Sequence, residues 1–105
     1  MQRNAFLLRL KEGTGPAYDA AHAAVWPEML DLLKRCGVSE YSIFRRGDLL
    51  FLYLHTEEDF ESTWSKIELD PANSRWQEAM KAYFAPLETN PGERFPMLTE
   101  VFYLP

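Results

Sequence analysis

The fold is decided by three consecutive segments, Val38-Ser-Glu-Tyr-Ser-Ile-Phe-Arg45, Arg46-Gly-Asp48 and Leu49-Leu-Phe-Leu-Tyr-Leu-His55. Side chains alternate between the two faces of a strand, so the first segment places Tyr41, Ile43 and Arg45 on one face. The middle segment is a tight turn, and the third is a short apolar run without Gly or Pro. Together they predict a β-hairpin.

The second strand of this hairpin, Leu49 to His55, is apolar on both faces. In a two-layer domain, helices cover only one face of a sheet. The other face then needs a different cover, and a second copy of the chain is the simplest one. The sequence therefore predicts a self-associating sheet.

Upstream, Arg3 to Leu10 predicts a strand that ends at Gly13-Thr-Gly15. A helix should start at Thr14 or Gly15, with Pro16 in its first turn. Pro27 should break or restart that helix, because proline disfavours helical geometry at the residue before it. The second helical piece should reach Cys36 and end at Gly37.

Downstream, a helix should begin at Thr56-Glu-Glu-Asp59 with Thr56 as its capping hydroxyl, and another at Asp70-Pro71. Residues 85–96 predict a loop, and Met97 to Leu104 a final strand. The order strand, helix, strand, strand, helix, strand predicts an α+β, ferredoxin-like βαββαβ fold.

Composition narrows the classes of function. The 105 residues predict a single domain, 1–105, with a net charge of -5 and no long basic cluster, which argues against nucleic acid. No segment is long enough to span a membrane or to act as a signal peptide. Cys36 is the only cysteine, so the chain cannot form an internal disulfide. The two histidines are far apart in sequence, and neither they nor Cys36 have the spacing of metal ligands. We therefore expect a cytoplasmic protein without a metal site.

His22 is the only candidate for proton transfer near neutral pH on a ring-lined helix face. Four residues advance about 400° on a helix, so Tyr18 and His22 lie one above the other. Small alanines surround them and leave room for a pocket wall. From the pattern alone, these rings suit a hydrophobic core as well as a site. Tyr41 on its strand and Trp76 on its helix are by themselves more typical of a core.

The chain resembles the L-rhamnose mutarotase family over essentially its full length. The most specific parts are the His22 helix and the C-terminal segment. The matching residues are Ala5-Phe6, Tyr18-x-x-x-His22-x-x-x-Trp26-Pro27-Glu28, Gly37, Tyr41-x-Ile43, Leu49-Leu50-Phe51, Trp64, Arg75-Trp76 and Glu100-Val-Phe-Tyr-Leu-Pro105.

The resemblance implies a dimeric α+β barrel, in which two ferredoxin-like sheets pack face to face in a homodimer. It also implies interconversion of the α and β anomers of L-rhamnose without a cofactor. By matching position, His22 corresponds to the family's proton donor. Tyr18, Tyr41 and Trp76 correspond to its substrate-contacting residues.

One residue departs from the family pattern. Gln77 stands where the compared relative has a second tryptophan, and an amide offers both a donor and an acceptor. Sugar preference is therefore open, and another 6-deoxy sugar such as L-fucose is an alternative substrate. Two rival functions remain, a haem- or quinone-using monooxygenase of the same fold and a non-enzymatic sugar-binding module.

Overall fold

The computed structural model describes all 105 residues, 1–105, and contains one four-stranded antiparallel sheet. In chain order the elements are β1 (Gln2–Leu10), α1 (Gly15–His22), α2 (Pro27–Arg35), β2 (Val38–Arg46), β3 (Leu49–Thr56), α3 (Phe60–Glu68), α4 (Pro71–Met80), a 3₁₀ turn (Lys81–Tyr83) and β4 (Phe84–Ala85). The strands lie in the order β2-β3-β1-β4. This order confirms the predicted ferredoxin-like α+β fold.

The predicted hairpin is present, and it contains an irregularity that the sequence did not reveal. Gly47 has the left-handed backbone (φ 58°) that a tight turn between two strands requires. Near the other end, the register jumps from Ser39 opposite His55 to Ser42 opposite Tyr53, so two residues face one on β3. This is a β-bulge, and Glu40 within it also has a positive φ of 49°.

The bulge reverses which residues of β2 face the helices. Before it, Val38 is buried against the core, whereas after it Tyr41 and Ile43 pack against the same core. Side chains alternate along a strand, so Val38 and Tyr41 can share a face only if an extra residue lies between them. The bulge therefore directs Tyr41 to the helix side of the sheet.

The helices begin and end close to the predicted positions, with one correction. α2 starts at Pro27 after an extended Trp26, and Gly37 follows it with φ 85°, as predicted. α3, however, is capped by Asp59, whose carboxylate accepts from the Ser62 backbone N–H. The predicted cap, Thr56, instead donates to the Glu58 carbonyl. A carboxylate three residues closer to the helix satisfies the free N–H groups directly.

The hydrophobic core lies between the helices and one face of the sheet. Alternate residues of the central strands point into it, and the largest fully buried side chains include Phe6, Leu10, Leu50 and Leu54. Leu32 of α2 and Ile67 of α3 meet them from the helix layer. The period of two on β3 and the helical spacing on α2 and α3 thus produce the two halves of one core.

The predicted final strand, 97–104, is wrong. β4 is instead the short Phe84–Ala85, paired with Arg9 and Leu10 at the edge of β1. Farther along that edge, Met97 makes only an isolated bridge to Phe6. Leu98 still donates its backbone N–H to the Ala5 carbonyl, but residues 98–105 form no regular strand.

The sheet face away from the helices is apolar and open. Leu7, Phe51 and Phe44 stand opposite one another on three adjacent strands and form one row across it. Phe44 is 64% exposed and Phe51 43% exposed. The C-terminal segment adds Val101, Phe102 and Leu104, which are also exposed. None of the helices has the length and apolarity that a membrane-spanning segment needs.

Candidate active site

Tyr18 and His22 share one face of α1, as predicted, and their rings stack with centroids 4.0 Å apart. Tyr18 is only 4% exposed, whereas His22 is half-buried. The imidazole therefore lies at the boundary between the core and open space. The phenol beneath it holds one ring face in place.

Trp76 of α4 also contacts His22, edge to face, with ring centroids 5.4 Å apart. Trp26 packs against Trp76, with ring centroids 5.0 Å apart. Pro27 causes this placement, because it forces Trp26 into extended backbone at the start of α2. The imidazole thus contacts both a phenol and an indole.

These side chains surround a cavity of about 360 Å³ between the helices and β2. It is lined by His22, Val25, Met29, Leu30, Leu33, Tyr41, Ile43, Trp64, Ile67, Asn73, Trp76 and Gln77. A smaller cavity of about 170 Å³ shares six of these residues and adds Tyr18. The structure therefore brings all four predicted site residues, Tyr18, His22, Tyr41 and Trp76, to one connected region.

Several polar atoms in this region have no partner within the chain. The hydroxyls of Tyr18 and Tyr41 and the indole nitrogen of Trp76 make no side-chain hydrogen bond, although Trp76 is only 7% exposed. Yet no buried side-chain nitrogen or oxygen is left unsatisfied. These atoms must therefore reach open space, and the cavities provide it. An apolar cavity with a few unpaired polar atoms is typical of a small-molecule site.

The hydrogen bond of His22 determines its tautomer. Its Nδ1 lies 3.0 Å from the Tyr18 backbone carbonyl, one turn earlier on α1. A carbonyl oxygen can only accept, so Nδ1 carries the proton. In the neutral imidazole, Nε2 is then a bare acceptor.

Burial lowers the pKa of His22 below its ordinary value, because the positive form loses hydration. The Tyr18 carbonyl and the nearby Asp19 carboxylate oppose this shift without reversing it. The imidazole is therefore neutral at physiological pH. A neutral imidazole with a free Nε2 is a general base.

The two phenols have the opposite character. Burial raises the pKa of Tyr18 to about 12, with a smaller contribution from Asp19. Burial also raises the pKa of Tyr41, and the neighbouring Tyr18 adds to the effect. Both hydroxyls stay protonated across the physiological range and can donate a hydrogen bond or a proton.

An ion pair fixes α1 against the hairpin. Arg45, near the end of β2, bonds Asp19 through two nitrogens, with Nε 2.7 Å from Oδ1. Gly15 makes room for it, since a Cβ there would lie 2.6 Å from Arg45 Nη1. The helix that holds Tyr18 and His22 is therefore tied to the strand that holds Tyr41.

Sequence reasoning missed two residues of the region. Trp64 was named only among the residues that match the family, with no role assigned, yet it lines both cavities. Asn73 was not singled out, although it lines the larger cavity and is only 6% exposed. The amides at positions 73 and 77 are four residues apart and lie on one helix face beside Trp76. That spacing could have indicated Asn73 as a residue of the site.

Comparison with known proteins identifies the family. A family model described as L-rhamnose mutarotase matches residues 3–104. The chain belongs to the L-rhamnose mutarotase family. This confirms the family resemblance that the sequence indicated.

Individual members of the L-rhamnose mutarotase family align along nearly the whole chain. A protein named L-rhamnose mutarotase from Oceanobacillus iheyensis is 33% identical over 99% of this chain and 99% of its own length. Another so named, from Enterococcus faecalis, is 32% identical over 96% of this chain and 94% of its own.

Solved structures give the same fold. The crystal structure of an L-rhamnose mutarotase from Formosa agariphila superimposes with a TM-score of 0.78, at 31% identity over 100% of both chains. Tetracenomycin F2 cyclase from Streptomyces glaucescens, a type II polyketide cyclase, superimposes at 0.70 but is 22% identical, and it supports the fold alone.

Proposed function

We propose that this chain interconverts the α and β anomers of L-rhamnose, with His22 transferring the proton and Tyr18, Tyr41 and Trp76 contacting the sugar. The single observation that supports this most is the free Nε2 of His22, beside unpaired phenol hydroxyls at a cavity. The names of the family relatives specify the sugar.

Anomer exchange needs two proton transfers in each direction. Ring opening removes a proton from the anomeric hydroxyl and adds one to the ring oxygen, which breaks the bond between the anomeric carbon and the ring oxygen. The open aldehyde then turns about the bond between C1 and C2. Closure on the other carbonyl face returns both protons, so the reaction consumes nothing.

The tautomer of His22 determines the direction of its first transfer. Neutral His22 has no proton on Nε2, so it takes the anomeric proton when the ring opens. The resulting imidazolium returns that proton to the aldehyde oxygen when the ring closes. His22 is thus the proton donor of the closing step.

A phenol is the natural partner for the ring oxygen. Tyr18 and Tyr41 are both protonated and their hydroxyls are unpaired. Either can donate to the ring oxygen as the bond breaks and take the proton back on closure. Positioning and one acid-base pair each supply on the order of a hundredfold or more, which suffices for a reaction that already proceeds in water.

The cavity suits a 6-deoxy sugar. Its volume of about 360 Å³ lies within the usual range for small-molecule sites. Nine of its twelve lining residues are hydrophobic, so it can accept the methyl group and apolar ring faces of such a sugar. The unpaired phenol, indole and amide groups can meet the hydroxyls.

We also propose that residues 1–105 act as one domain, that the protein is cytoplasmic, and that it works as a homodimer without a cofactor. The open row of Leu7, Phe51 and Phe44 supports the dimer, because an exposed apolar face of this kind is typical of a protein interface. The C-terminal segment, held to β1 by the Arg3–Glu100 ion pair, adds further exposed apolar side chains.

Replacing His22 with alanine tests the proposal. We expect His22→Ala to lose nearly all acceleration of anomer exchange, measured by magnetisation transfer between the two anomeric proton signals, while L-rhamnose still binds. The control is Glu78→Ala, because Glu78 is exposed on α4 and lines neither cavity. This control should keep the rate within about twofold.

Three outcomes would contradict the assignment. Full exchange activity in His22→Ala would remove His22 from the mechanism. Saturable sugar binding by the unmodified chain without exchange would support the sugar-binding module instead. Visible absorbance of the purified protein, or a haem band shifted from that of free haem when haem is added, would support the monooxygenase.

A further inference from the structure

Two amides on α4 form a pair at the mouth of the cavity. Gln77 Nε2 donates to Asn73 Oδ1 over 3.3 Å, one helical turn away. Asn73 is 6% exposed, whereas Gln77 is an exposed residue at the rim. Both line the larger cavity beside Trp76 and opposite Tyr41.

The bond between the two amides leaves some of their hydrogen-bond donors and acceptors unpaired. Asn73 Nδ2 makes no hydrogen bond within the chain, and because no buried side-chain nitrogen is unsatisfied, it must reach the cavity that Asn73 lines. Gln77 Oε1 is likewise without a partner. The pair therefore presents one donor and one acceptor to the cavity.

This conclusion does not depend on how the amides are oriented. If both amide groups were turned over, Asn73 would donate to Gln77 instead. A free Asn73 oxygen and a free Gln77 nitrogen would then remain. In either arrangement, one carbonyl and one NH₂ stay open to a ligand.

We propose that the Asn73–Gln77 pair recognises two neighbouring hydroxyls of the sugar ring, which makes Gln77 a specificity-determining residue. One hydroxyl donates to the free carbonyl and its neighbour accepts from the free NH₂. A tryptophan at position 77 would supply a flat apolar wall and a single donor, so it could not serve both hydroxyls. The inference rests on the proposed anomer exchange.

The test compares sugars and variants together. The sugars are L-rhamnose and its analogues that lack the hydroxyl at C2, C3 or C4, and each exchange rate is divided by the uncatalysed rate of the same sugar. We expect the unmodified chain to accelerate exchange of two of these analogues about tenfold less than that of L-rhamnose, which is about the effect of one net hydrogen bond. The hydroxyls that these two analogues lack should be neighbours on the ring. Gln77→Leu should reduce the discrimination against one of the two, the analogue that lacks the hydroxyl bound by Gln77, to less than about threefold.

Glu78→Leu is the matched control, since Glu78 is exposed on the same helix and does not line the cavity. It should keep the preference of the unmodified chain. A second measurement does not depend on catalysis. Addition of L-rhamnose should shift the side-chain NH₂ signals of Asn73 and Gln77 in a nitrogen-proton correlation spectrum.

The outcomes separate the two proposals. If the unmodified chain exchanges L-rhamnose and Gln77→Leu keeps the full preference, only the amide pair is overturned. Unmoved amide signals at saturating sugar lead to the same conclusion. If the unmodified chain does not accelerate exchange, the proposed function fails, and the amide pair fails with it.

Discussion

At the scale of single residues, one hydrogen bond decides the chemistry. The Tyr18 carbonyl holds the proton on Nδ1 of His22, and burial keeps the ring neutral. The stacked phenol beneath is kept protonated by the same burial. A base and an acid therefore lie side by side because their shared surroundings disfavour both charged forms.

The pH dependence of exchange follows from these shifts. The active imidazole is the neutral form, so the catalysed rate falls as pH drops through the pKa of His22. Because that pKa is lowered, the fall lies below about pH 6.5, the ordinary histidine value. With Tyr18 titrating at about 12, no alkaline fall is expected below about pH 10. Rates across pH 5–10, corrected for the uncatalysed reaction, check this, and a fall centred above 7 would contradict it.

Replacement of each phenol identifies the proton donor to the ring oxygen. Tyr18→Phe and Tyr41→Phe remove one hydroxyl each and keep the rings that pack at the cavity. The donor should lose about a hundredfold in catalysed rate, and the other phenol only about tenfold as a sugar contact. Anomer exchange at saturating sugar is the measurement. Unchanged rates in both variants would assign the proton to water.

At the scale of elements, the bulge in β2 matters most, because it turns Tyr41 toward the helices. It requires a left-handed residue at Glu40, which has φ 49°. Glu40→Ile should destabilise the fold by about 1–2 kcal/mol and lower exchange, because a branched side chain disfavours that backbone. Glu40→Asn is the control and should be neutral, since asparagine tolerates the same conformation. Denaturant unfolding and exchange rates together check this, and equal behaviour of both variants would contradict it.

The tie between α1 and the hairpin gives a second prediction at this scale. Gly15→Ala should displace the Arg45 guanidinium from Asp19, because the new Cβ would lie 2.6 Å from it. The pair is largely exposed to solvent, so the free energy of unfolding should change little. The exchange rate should fall more than stability does, because α1 positions His22. Ala17→Gly, on the same helix, leaves this ion pair untouched and serves as the control.

At the scale of the whole molecule, the apolar row on the open sheet face predicts association. Phe51→Glu should weaken the proposed homodimer by at least about a hundredfold in dissociation constant, because a charge would replace a ring at the centre of the row. Native mass spectrometry over a range of concentrations measures this. Glu12→Gln, at an exposed turn, is the control. A monomeric unmodified chain would contradict the proposed dimer.

The sequence by itself determined the hairpin, the helix that holds Tyr18 and His22, and the order of the elements, because hydrophobic spacing, proline and glycine act locally. It failed at residues 97–104, where an apolar run looked like a strand. This run lies beside β1, where Leu98 bonds the Ala5 carbonyl and Arg3 bonds Glu100, yet it forms no regular ladder. Whether such a run forms a ladder depends on its contacts with the rest of the sheet, which its own pattern does not show.

Only the tertiary structure decided the site. Nothing in the local pattern showed the bulge at Glu40, so the sequence could not say that Tyr41 faces the cavity rather than filling the core. The tautomer of His22, the approach of Trp76 and the open amide pair of Asn73 and Gln77 likewise depend on contacts between distant or differently packed elements. Local physics chooses helices and strands, whereas the polar atoms left without partners are known only once everything around them is packed.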